Sequence, residues 1–74
     1  MIKFCYRVPV IMDPRVLHRQ FVVAGGQTVG QYDFQPSEDR WSLTVDEADA
    51  VIVRKVLEGL EVKFNMRHVT SRFE

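Results

Sequence analysis

Residues 2–12 alternate in hydrophobicity. Ile2, Phe4, Tyr6, Val8 and Val10 fall on one side, and Lys3, Cys5, Arg7, Pro9 and Ile11 on the other. A period of two predicts a strand with its even face inward. Pro9 has no N–H for a ladder, which places that part at an edge or a bend. Asp13-Pro14 reads as the N-cap and first position of a short helical turn reaching His18. Residues 19–24 and 27–34 flank Gly25-Gly26, the signal of a hairpin with a two-residue turn. In that register one face carries Phe21, Val23, Tyr32 and Phe34, and His18 lies opposite Asp33.

The second period is helical. Thr44 followed three residues later by Glu47 is a capping box, and the stretch from Leu43 to Leu60 continues at helical spacing. Asp46, Glu47 and Asp49 crowd the first turn, Arg54 and Lys55 lie towards the other end, and Gly59 reads as the C-terminal stop. At 100° per residue, Val45, Ala48, Ala50, Ile52, Val53, Val56, Leu57 and Leu60 fall in one arc of about 200°, wider than a single sheet contact requires. Asp49 falls inside that arc. Trp41 to Leu43 reads as a short strand before the cap. From Glu61 to Phe73 the pattern returns to two, with a change of parity near Arg67-His68 that predicts a bulge. The expectation is one α+β domain over residues 1–74, in the order β-β-β-α-β. A mostly antiparallel sheet of three to four strands carries one helix packed on one face.

A chain of 74 residues with 46% apolar and 27% charged residues is globular, but at this size its core is marginal. Formal net charge is zero, so no global pull towards nucleic acid or membrane operates. The charges are segregated all the same. Residues 1–32 carry a net +3, residues 33–49 a net −5 and residues 50–74 a net +2. Cys5 is the single cysteine, which excludes an internal disulfide and a cysteine-based metal cluster. The N-terminal run is interrupted by Lys3 and Arg7 and lacks a cleavage pattern, and no apolar run approaches a membrane span. A cytoplasmic protein without membrane contact is therefore expected.

The candidate chemistry is sparse. His18 and His68 are the only imidazoles, with no HxxxH pair and no carboxylate at metal spacing. Cys5 lacks an assigned base and oxyanion hole. The glycines from Gly25 to Gly30 do not form GxGxxG, and no helix start follows them to receive phosphate. These patterns point away from an enzyme, a cofactor and a metal. Two surfaces remain. An acidic one, with Asp33, Glu38, Asp39 and Asp46 beside Trp41, could dock on a larger protein. A basic one would form if the outward faces of the first and last strands, carrying Lys3, Arg7, Lys63 and Arg67, were neighbours, and it could meet phosphate.

The stretch from Gly26 to Phe34, containing Val29-Gly30 and Asp33-Phe34, followed by Ser37-Glu38-Asp39 and Trp41, resembles a pattern in small phage anti-CRISPR proteins of the type I class. There a strand with VGxxDF leads into an acidic turn. The resemblance covers residues 26–41 and implies a non-enzymatic inhibitor that occupies a surface on a large ribonucleoprotein effector. The resulting expectation is a small binding or inhibitor protein acting by protein–protein contact. The alternatives are a nucleic-acid-binding module using the basic sheet face, or a homo-oligomeric structural subunit such as a homodimer.

Overall fold

The computed structural model describes residues 1–9, 11–37 and 39–73. The chain is α+β, with strands β1 (Ile2–Arg7), β2 (Tyr32–Pro36), β3 (Arg40–Val45) and β4 (Arg67–Phe73) and helices α1 (Pro14–Val23) and α2 (Ala50–Phe64). The four strands form one antiparallel sheet in the order β2-β3-β1-β4. The β-α-β-β-α-β order with this strand arrangement is the split-βαβ, ferredoxin-like topology. β1 matches the alternation, with Phe4, Tyr6 and Val8 buried, but it ends at Arg7 rather than running to residue 12; Val10 lies outside the described residues.

A second helix replaces the first arm of the expected hairpin. Asp13 caps α1 as anticipated, its Oδ1 accepting the Arg15 N–H at 2.9 Å, and Pro14 occupies the first turn. The helix then runs past His18 to Val23. Leu17, His18, Phe21 and Val22 recur at i, i+1, i+4 and i+5, a helical stripe, and Leu17 and Phe21 are fully buried. Gly25-Gly26 ends this helix instead of turning a hairpin. Gly25 adopts φ +130°, and a Cβ on Gly26 would collide with the Phe21 ring. A single 3₁₀ turn (Gly26–Thr28) leads on to β2.

The expected helix start is also corrected. Thr44 and Val45 belong to β3, opposite Lys3 and Ile2 of β1, so the Thr44–Glu47 capping box does not form. A 3₁₀ turn (Glu47–Asp49) intervenes, and α2 begins at Ala50. Asp49, the misfit on the apolar arc, is half-buried and accepts the Gly30 N–H at 3.1 Å, tying the start of α2 to the loop before β2. Gly59 does not stop the helix; a Cβ there would meet nothing. α2 continues to Phe64 and ends on Asn65 in the left-handed region, φ 54°, with the Met66 N–H bonded to the Glu61 carbonyl at 3.1 Å. After Met66, Arg67–Phe73 make β4. The expected bulge is present at Val69: Cys5 pairs with Thr70 but Tyr6 pairs with His68.

Both helices cover the same side of the sheet. Phe4, Tyr6, Trp41, Leu43 and Val45 from the strands meet Leu17, Phe21, Val53, Leu57 and Leu60 from the helices in one cluster. The wide arc expected for α2 is narrower in fact. Val53, Leu57 and Leu60 are buried, whereas Ala48 and Ile52 are exposed. The other side of the sheet carries no helix.

Candidate functional site

Side chains alternate across a strand, so residues skipped by the core share the bare face. The registers order them into three rows. Ser37, Arg40, Arg7 and Arg67 lie side by side across β2, β3, β1 and β4. Gln35, Ser42, Cys5 and Thr70 form the next row, and Asp33, Thr44, Lys3 and Arg72 the third. Neighbours within a row are about 5 Å apart at Cα, and adjacent rows about 7 Å. Lys3, Cys5, Gln35, Arg40, Ser42 and Thr70 line a shallow concavity of about 400 Å³, with Val69 and Arg72 at its β4 side.

The first row is electrostatically unusual. Arg7 stands directly opposite Arg40 on one neighbour and Arg67 on the other, and Lys3 stands opposite Arg72. Like charges placed directly across a ladder destabilise it. Among the described residues, Arg7, Arg40 and Arg67 make no ion pair. Ser37 closes the row by donating from both its N–H (2.9 Å) and its Oγ (3.2 Å) to the Arg40 carbonyl.

Of the basic residues read from the sequence, Lys3, Arg7 and Arg67 come together. Lys63 does not; it lies on α2, its Nζ 3.5 Å from the Gln20 Oε1 and over the Phe64 ring. Arg40 and Arg72 take its place. Extending β3 by one residue would have found Arg40, and carrying the parity change through the bulge would have found Arg72.

The acidic residues do not gather. Asp39 lies in the β2–β3 turn, its carbonyl accepting the Val8 N–H at 2.9 Å. Asp46 follows the far end of β3, about 20 Å along the strand. Asp33 sits on β2 at the margin of the bare face, next to Gln35, and Glu38 lies outside the described residues. Trp41 cannot anchor a partner, because it is 0% exposed. Its ring packs among Tyr6, Phe21 and Phe34, with centroids within 6.1 Å.

The titratable groups of the covered side are structural. His18 was expected opposite Asp33. It stacks instead on Phe34 at 4.2 Å, with its Nε2 3.4 Å from the Tyr32 hydroxyl, and burial holds its pKa below the usual value. Its buried Nδ1 has no hydrogen-bond partner among the described residues. Burial first, and then the Glu61 carboxylate, raise the Tyr6 phenol above its ordinary value. His68 meets Tyr6 edge to face at 5.2 Å and contacts the Ser71 Oγ at 2.7 Å. Cys5 has a serine and a threonine as its row neighbours on the bare face, a setting without a general base. Among the described residues, no three His, Cys, Asp or Glu groups come together to hold a metal ion, and no helix is long and apolar enough to cross a membrane. Comparison with protein-family models, curated proteins and solved structures returned no match.

Proposed function

We propose that this chain is a non-enzymatic binding module whose bare sheet face engages the phosphate backbone of a nucleic acid. The observation that carries the reading is the Arg40–Arg7–Arg67 row. Three guanidinium groups side by side are a cost to the free sheet and a benefit once an anion lies across them. Each guanidinium presents a planar fork that suits phosphate. Lys3 and Arg72 extend the cationic surface along β1 and β4.

The competing reading is a small inhibitor docking through its acidic segment. It has less support, since Trp41 is buried and Asp39 and Asp46 lie at opposite ends of β3. If the partner is a ribonucleoprotein, as the anti-CRISPR resemblance implies, the same arginine row would supply a contact to its RNA.

The test is fluorescence anisotropy with labelled nucleic acids across a salt series. Binding should weaken steeply with salt, with a log–log slope of roughly −4 for four to five phosphate contacts. Arg7→Gln should weaken binding about tenfold at low salt and make the slope shallower by about one. No anisotropy change at low salt overturns the proposal. So does a change that Arg7→Gln leaves intact, which would move the contact to another face.

A further inference from the structure

The phosphate-backbone reading leaves open what form of nucleic acid the face accepts. We infer that its ligand is an A-form RNA duplex, held across the minor groove. The inference rests on the preceding reading and adds three observations.

First, among the described residues the bare face carries no aromatic ring for bases to stack on. The chain has eight aromatic residues. Phe4, Tyr6, Tyr32, Phe34 and Trp41 point from the strands into the helix layer, and Phe21 and Phe64 are on the helices. Phe73 lies beside Ile2 and Ala50 on the helix side of β4. Single-strand binders without sequence preference combine a cationic groove with aromatic stacking platforms, and here only the guanidinium planes of the arginines are left for that role.

Second, the middle row consists of neutral groups that can donate and accept: the Gln35 amide, the Ser42 and Thr70 hydroxyls and the Cys5 thiol. The arginine row lies about 7 Å to one side of it, and Lys3 and Arg72, in a row that ends on Asp33 at the β2 margin, about 7 Å to the other. Protein contacts to an RNA duplex have the same composition, with 2′-hydroxyls in the minor groove and phosphates along its margins. A DNA duplex lacks the 2′-hydroxyl to which that central row would bond.

Third, shape selects the groove. Four strands at about 4.8 Å spacing make a surface about 14 Å across. It is too broad to enter a major groove that admits one helix or a two-stranded ribbon, and the A-form major groove is deeper and narrower still. The wide, shallow A-form minor groove is the surface that a broad, slightly hollow sheet face can lie against.

The experiment compares a labelled RNA duplex of about 16 base pairs, the DNA duplex of matching sequence and each RNA single strand. The RNA duplex should bind about tenfold more tightly than the DNA duplex and than either single strand. The paired variant Ser42→Ala with Thr70→Val should cut the RNA advantage to about twofold, and a circular dichroism spectrum and cooperative melt like those of the wild type are its folding control. Equal affinity for the two duplexes, tighter binding of single strands, or an RNA advantage that survives the paired variant overturns this inference and leaves the phosphate-backbone reading standing. Failure to bind any of them overturns both.

Discussion

The two faces of the sheet are built by the same residues in alternation, yet they obey opposite rules. On the covered face, β1 and β3 place Phe4, Tyr6, Trp41, Leu43 and Val45 against two helices, where burial of apolar surface stabilises the folded chain. On the bare face, the intervening residues of the same two strands place Arg7 against Arg40 and leave both exposed. The first set is legible as folding chemistry. The second carries a like-charge cost in the free sheet, which the proposed phosphate contact would offset. On the proposed function a single strand would divide its positions between stability and recognition, and the two should separate on mutation.

The largest expected effect comes from the covered face. Trp41→Ala removes a fully buried indole beside Phe21 and Phe34 and should cost about 3–5 kcal/mol, most of the stability of a domain this small. Chemical denaturation followed by circular dichroism would show a chain largely unfolded near room temperature. A cooperative transition close to that of the wild type would break the contrast between the faces.

The mirror experiment is Arg7→Gln. It should weaken nucleic-acid binding while stabilising the free protein by up to about 1 kcal/mol, since two like-charge neighbours are relieved. For a domain of this length, such a gain appears as a rise in Tm of roughly 4–8 °C, shrinking as salt screens the charges. A lower Tm would mean that Arg7 contributes to the fold, and the division of labour would fail.

A smaller effect sharpens the control. Gly59 sits in the exposed interior of α2, where a Cβ meets nothing. Gly59→Ala should add about 0.5–1 kcal/mol of stability through helix propensity and leave binding untouched, because α2 lies on the other side of the sheet. Equal denaturation midpoints for variant and wild type would refute it.

The smallest effect concerns acid. His18 has a folded pKa below its unfolded value of about 6.5, so the unfolded chain takes up its proton first as pH falls. Its contribution is intact above about pH 6.5 and is lost as pH drops towards the folded value. Denaturation midpoints measured from pH 7.5 downward should fall with acid in the wild type and fall less in His18→Gln. Parallel curves would remove His18 from the account.

The parts legible in the sequence were those where one local signal acted without a rival. The period of two over β1, the Asp13-Pro14 helix start and the parity change at β4 are of this kind, and each has its counterpart in the fold. Errors arose where one residue satisfied two patterns. Thr44-Val45 suits both a capped helix start and a strand, and pairing with Lys3 and Ile2, some forty residues away, decides between them. Val22-Val23 before two glycines imitates a hairpin arm, but the Leu17–Phe21 stripe needs the sheet to cover it before helix wins. Val62, Phe64 and Met66 alternate like a strand, although Phe64 continues the buried line from Leu57 and Leu60. The site inherited these errors. Lys63 is misplaced with its helix, Arg40 falls one residue before the expected strand, and Trp41, a candidate partner contact at the start of that strand, turns its ring to the covered face.

The bulge at Val69 has a consequence for heredity as well as for shape. Without it, Arg67 and Arg72 would project from opposite sides of β4, since an odd and an even position cannot share a face of a regular strand. The extra residue shifts the spatial reading frame of the strand by one, bringing both arginines to the bare side while Phe73 stays on the helix side beside Ile2. Deleting the Val69 codon would rotate either the segment before it or the segment after it. Point substitutions at Val69 should be tolerated, whereas loss of that single residue should turn arginine inward, so this position is constrained in length far more than in identity.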